Sequence, residues 1–162
     1  MSVGPNSTIR HDEARSPPAL VPAARLFIGY GNDLRSDDGA GIRAAQMVAA
    51  RDLTARVITC HQLTPELVDD IAAAALVVFV DAYAASERGA GLRIERIGDR
   101  DAGGAPAHRS DPAALLDLAR QLHGRVPDAW VIGIPAYCFD AGEAISRATA
   151  QRVDEVVAWF KK

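Results

Sequence analysis

Apolar positions follow two rhythms along the chain. Apolar runs at residues 25–30 (RLFIGY), 76–80 (LVVFV) and 129–134 (AWVIGI) suit buried strands of a parallel sheet, and residues 55–60 (ARVITC) read as a further strand. Residues 92–97 (LRIERI) alternate instead, which predicts an edge strand or one with a solvated face. Between these runs the spacing is helical. Residues 39–51 are alanine-rich, with Ile42, Ala45, Met47 and Val48 on one side. Thr64-Pro65-Glu66 supplies an N-cap, a proline at the first helical position and an acid in the first turn of a helix reaching about residue 74. Ser110 or Asp111 caps a helix over 111–122 that has Pro112 in its first turn. Residues 144–160 form a last helix with Val153, Val156, Val157 and Phe160 on one face.

Strands alternating with helices predict a single α/β domain: a mostly parallel sheet with helices on both faces. In such a sheet ligands sit beyond the carboxyl ends of the strands, here marked by Gly29-Tyr30-Gly31-Asn32, by Asp81 where the run 76–80 stops, and by the segment after Ile134. Residues 1–22 are polar, proline-rich and mixed in charge, without the apolar core of a secretory signal, and read as a flexible arm ahead of a domain over 23–162.

Composition narrows the classes of function. A net charge of -3 without any block of Lys or Arg offers no footprint for nucleic acid, and no apolar run is long enough to span a membrane. Cys60 and Cys138 lack CxxC spacing, so they predict neither a zinc site nor a disulfide framework. They read as small core thiols of a cytoplasmic protein.

The densest chemical signal runs from Gly29 to Gly41, where a glycine loop leads from a strand to the adjacent acids Asp37 and Asp38 and then into a helix. The spacing is not GxGxxG, two carboxylates ahead of the helix would repel a pyrophosphate, and there is no Gly-Lys-Ser or Gly-Lys-Thr. Asp37 reads as a cap opposing the dipole of its own helix, and Asp38 as the functional acid of the pair. Asp81, leaving the most apolar strand, needs a partner. With His108, these acids make an O,O,N donor set that leaves positions on a borderline divalent ion open for substrate or water. His61, just after the second strand, is the rival imidazole, while His11 and His123 read as solvated. Ser36, Ser110 and the cysteines lack a recognisable paired base, so no covalent nucleophile stands out.

The segment 29–41, Val80-Asp81-Ala82, His108 ahead of a leucine-rich helix, and Gly133-Ile134-Pro135 together resemble the hydrogenase maturation protease family over residues 25–160. The resemblance implies an α/β sandwich and metal-contacting positions at Asp38, Asp81 and His108. It further implies endopeptidase activity toward the [NiFe] hydrogenase large-subunit precursor, whose C-terminal extension is removed. The nickel would be supplied by that precursor and not held tightly by the free protein, which is expected to be a monomer. Two other readings share parts of the pattern. A receiver-like phospho-acceptor module would also gather acids at strand ends, but it needs a lysine after the last core strand, where Gly133-Ile134-Pro135-Ala136 has none. A non-catalytic chaperone that senses nickel loading would use the same ligands as the enzyme.

Overall fold

The computed structural model describes residues 23–87, 89–98 and 111–162. Among them, five strands form one sheet: β1 (Ala23–Tyr30), β2 (Arg56–Cys60), β3 (Ala74–Ala84), β4 (Arg93–Arg96) and β5 (Asp128–Ala136), in the order β2-β1-β3-β5-β4. All neighbours are parallel except β4, which runs antiparallel to β5 at the edge. The helices are α1 (Ala40–Arg51), α2 (Val68–Ala73), α3 (Pro112–His123) and α4 (Arg147–Phe160).

Alternation along the central strands divides the core into two faces. Leu26, Ile28, Val77 and Phe79 pack with Ile71 of α2 and Leu115, Leu116 and Ala119 of α3. Phe27, Val78, Val80, Ile132 and Ile134 pack with Ala44, Ala45 and Val48 of α1 and with Val153, Val156, Val157 and Phe160 of α4. This is the predicted three-layer sandwich. Phe160 meets Phe27 edge-on at 5.0 Å, and the Arg25 guanidinium lies 4.8 Å over the same Phe160 ring, closing that face at its lower end.

The strand containing Asp81 does not end there. β1 pairs with β3 only as far as Gly29↔Val80, whereas β5 continues alongside β3 through Asp81↔Gly133 to Ala84↔Ala136. Asp81 is therefore the residue at which β3 loses its neighbour on one side and keeps it on the other. The connection from β1 goes outward to β2 while that from β3 goes toward β4 and β5. The crevice between β1 and β3 is thus the topological switch point of the sheet.

Other boundaries move for local reasons. A single 3-10 turn, Ser36–Gly39, precedes α1, and another, Pro65–Leu67, precedes α2, which runs directly into β3 with no loop between them. Asp111 is the cap of α3, its carboxylate accepting from Ala113 N at 3.0 Å, and Gly124 ends the helix at φ 67°. The last helix starts at Arg147 instead of 144, because Ser146 caps it through Thr149 N. The arm over 1–22, with His11, lies outside the described residues, as do His108 and Ser110.

Candidate active site

Close packing of backbone sets the position of the acidic pair. A Cβ on Gly41 would collide with the carbonyl oxygens of Val80 and Tyr30, so only glycine lets the start of α1 press against the ends of β1 and β3. Gly31, at φ 137°, has the Asp38 carbonyl against it on the side where a Cβ would stand, and Asp81 Oδ1 would be 3.6 Å from that same Cβ. The glycine loop thus needs no bound phosphate to account for it. It brings the 3-10 turn holding Asp38 down onto the strand holding Asp81, where that strand parts from β1.

The turn itself is clamped from the opposite side by the segment between β5 and α4. Ser36 N donates to Gly142 O at 2.6 Å, Gly142 N to Leu34 O at 2.9 Å, and Asp37 N to Cys138 O at 3.0 Å. Ser36 Oγ donates to Asp140 O at 3.0 Å, and Ser36 takes the left-handed conformation, φ 49°, that this clamp requires.

Asp37 and Asp38 have opposite surroundings. Asp37 is wholly buried and does not cap its own turn, contrary to the sequence expectation. Its carboxylate reaches across to the other segment, accepting from Tyr137 N (2.9 Å), Cys138 N (3.1 Å) and Ser146 N (2.6 Å). The hydroxyls of Ser146 (2.8 Å) and Thr149 (2.9 Å) also lie within reach. Burial pushes the Asp37 carboxyl up, but the bonds from Tyr137, Ser146 and Thr149 outweigh it and hold it below its ordinary value. This acid is a fixed anionic tie at the N-terminus of α4. The donors lie 100 or more residues from Asp37, and no local pattern announces them.

Asp38 is half-buried, and its carboxylate has no hydrogen-bond partner among the described residues. Asp81, also half-buried, accepts only from the neighbouring Ala82 N at 2.7 Å. Burial raises the Asp81 carboxyl to about 6, the Ala82 bond opposes that rise, and the negative charge of Asp38 adds to it. Two under-satisfied carboxylates that repel one another across one cleft fit a cation supplied from outside. No described residue pairs with either as a counter-charge.

The cleft they share has a volume of about 360 Å³ and is also lined by Tyr30, Gly31 and His61. Tyr30 is held protonated by burial and then by the charges of Asp81 and Asp111. Tyr30 and Asp81 form a common wall with a second hollow of about 250 Å³, where Arg93 stacks 3.6 Å over the Tyr83 ring. A larger cavity of about 570 Å³ between α1 and α4 contains neither acid and lies away from this chemistry.

The structure therefore brings together Asp38 and Asp81, the two acids singled out in the sequence, and adds Tyr30 and His61. His61 was the rival to His108, and it faces the same cleft. Among the described residues no three His, Cys, Asp or Glu side chains converge on a metal position, and His108 lies outside them. His123 is not simply solvated but bonds Asp69 Oδ1 at 2.8 Å, joining α3 to α2. Both cysteines are free and partly exposed instead of fully in the core, and burial raises the Cys60 thiol, which disfavours a thiolate nucleophile. No helix among the described residues is long and apolar enough to cross a membrane.

No protein-family model matches the sequence, and no curated protein matches it. Solved structures do match its fold. The hydrogenase maturating endopeptidase HybD from E. coli superposes with a TM-score of 0.67 at 17% identity, over 85% of this chain and 89% of that one. The [NiFe] hydrogenase maturation protease HybD from Thermococcus kodakarensis gives 0.66 at 21% identity, over 85% and 97%. The [NiFe] hydrogenase maturation protease HycI from Thermococcus kodakarensis KOD1 gives 0.65 at 21% identity, over 85% and 90%. Single-domain, with five strands and helices on both faces, this chain has the fold of the hydrogenase maturation proteases.

Proposed function

We propose that this protein is an endopeptidase that removes the C-terminal extension of a nickel-loaded [NiFe] hydrogenase large-subunit precursor. The observation that carries this reading is the pair Asp38 and Asp81. Neither is neutralised by the described residues, and both are driven into one cleft by glycine packing in a fold shared with maturation proteases. Nickel enters as part of the substrate. It docks against Asp38 and Asp81, with His108 as the nitrogen donor, and positions the scissile bond in the cleft. Weak binding by the free protein suits this role, since two carboxylates and one imidazole hold nickel less firmly than thiolates do, and the substrate's own ligands complete the sphere. Water adds to the scissile carbonyl carbon, the C–N bond breaks, and the leaving amine takes up a proton. Among the described residues no serine or cysteine is hydrogen-bonded to a histidine base, and the reading expects inhibitors of serine and cysteine proteases to have no effect.

The test is a gel-shift processing assay on nickel-loaded and nickel-free precursor. Wild-type protein should shorten only the loaded form, and Asp38→Ala and Asp81→Ala should abolish the shift. Equal processing of both forms would refute recognition through nickel. A loaded precursor that stays intact would refute the endopeptidase reading.

A further inference from the structure

His61 follows the last residue of β2, and the β1–β2 pairing sets its position. Tyr30 is in register with Cys60, Gly31 N donates to Cys60 O at 3.3 Å, and His61 Nδ1 lies 3.2 Å from Gly31 O. A carbonyl oxygen can only accept, so Nδ1 must carry the hydrogen. In the neutral ring this leaves Nε2 with a lone pair. That atom has no partner among the described residues, and the exposed ring lines the cleft that holds Asp38 and Asp81. His61 does not converge with the two acids on a common metal position.

An extended polypeptide entering a cleft of this size brings main-chain N–H groups that lose water and need acceptors. The two carboxylates are committed to the metal under the endopeptidase reading, on which this step rests. Gly31 O already accepts from His61 and Asn32 Oδ1 from Leu34 N at 3.0 Å, whereas His61 Nε2 accepts from no described residue. We propose that His61 is a further substrate-contacting residue: with Gly31 O fixing its tautomer, Nε2 accepts a hydrogen bond from a main-chain N–H of the precursor beside its metal-bearing segment. It binds the polypeptide while the acids bind its metal.

Two substitutions separate this role from a structural one. Asn at 61 retains a donor near Nδ1 for Gly31 O and lacks an acceptor at the Nε2 position, whereas Gln can place its carbonyl oxygen near Nε2 and loses the bond to Gly31. With nickel-loaded precursor as substrate, His61→Asn should raise KM roughly 3- to 10-fold, the range of one neutral hydrogen bond, with kcat within about twofold. His61→Gln should stay near the wild-type KM. Rescue by Asn and not Gln would show that His61 only props the glycine loop and would overturn the proposal, as would an unchanged KM in His61→Asn. In protein labelled with 15N-histidine, with no substrate present, His61 should show the Nδ1–H tautomer above neutral pH. The Nε2–H tautomer there would overturn the proposal whatever the enzyme does. If wild-type protein leaves the loaded precursor intact, the endopeptidase reading fails and takes the substrate contact with it. If wild type cleaves and His61→Asn matches it, only the inference about His61 fails.

Discussion

Replacing each acid of the pair in turn should give opposite effects on stability. Asp37→Ala removes the acceptor of three backbone N–H groups, those of Tyr137, Cys138 and Ser146, and leaves them facing an apolar methyl. It also removes the acceptor for the hydroxyls of Ser146 and Thr149. Those hydroxyls have one hydrogen each, and Thr149 Oγ1 can turn to Pro135 O, also at 2.9 Å, so the backbone groups dominate the loss. A charge-assisted bond contributes about 1.5–3 kcal/mol, and a buried donor left unmade costs about 1–3 kcal/mol. Three such groups close together do not add fully, so the expected loss is roughly 3–5 kcal/mol, a large part of the stability of an ordinary domain. Asp37→Asn keeps one carbonyl acceptor but turns an amide N–H₂ toward donors, and should cost roughly 2–3 kcal/mol. Asp38→Ala, by contrast, deletes a carboxylate with no described partner and relieves its repulsion of Asp81, so the metal-free protein should be as stable or slightly more so, on the order of 0.5 kcal/mol.

Urea melts of the metal-free proteins at neutral pH measure all three. The wild-type advantage over the Asp37 variants should also be lost in acid. The depressed carboxyl favours the fold above its ordinary value of 3.8, and that contribution disappears as pH falls through the lower folded value. An Asp37→Ala protein within 1 kcal/mol of wild type, or an Asp38→Ala protein destabilised by more than about 1 kcal/mol, would refute this division of roles.

Asp81 should give the opposite pH dependence. Its folded value of about 6 lies above the ordinary 3.8, so the stability that goes with its protonation is present below 3.8 and lost as pH rises through about 6. Asp81→Asn should thus match wild type in acid melts and exceed it at neutral pH by on the order of 2 kcal/mol, while a constant difference across that range would count against the repulsion argument. For Gly41→Ala, the added methyl must displace the backbone of β1 or β3, so thermal melts should show a loss of about 2–4 kcal/mol together with lost processing; a stable, active variant would show that close approach is not what seats Asp38.

What the sequence makes legible here follows from the range of the interactions involved. The apolar runs at 25–30, 76–80 and 129–134 become the three central strands, since continuous burial is written in consecutive residues. The apolar stripe of α4 is equally local. The end of β3 is not. It depends on which neighbour persists beyond Val80, and the extra pairing with β5 is a fact about residues some 50 positions away. The same holds for Asp37, read as a local cap because adjacent acids before a helix often are, while its donors come from the far end of the chain. In the sequence His61 is only the rival imidazole, because its neighbours there are a strand end and a helix cap. Its approach to Gly31 follows from β2 pairing with β1 in a register that no residue of β2 encodes alone.

The two adjacent acids also explain how the fold tolerates, at its switch point, carboxylates that no described residue neutralises. Burying a carboxylate is costly unless donors surround it, and one turn of backbone cannot supply donors for two. Here three backbone donors of the β5–α4 segment, the N–H groups of Tyr137, Cys138 and Ser146, go to Asp37, and the ladder through Ser36, Gly142 and Leu34 locks the turn against that segment. Asp38 is thereby held in place by its neighbour's bonds while its own carboxylate makes none to the described residues. Under the proposed function the site must stay open to an incoming metal, and so it cannot be stabilised through its own ligand atoms. Placing the anchoring acid one residue before the functional one is a direct way to fix the second without occupying it. The sequence Asp37-Asp38 then carries two unrelated instructions. Exchanging their environments, by supplying Asp38 with donors, should quench its repulsion of Asp81 and with it the attraction for a cation.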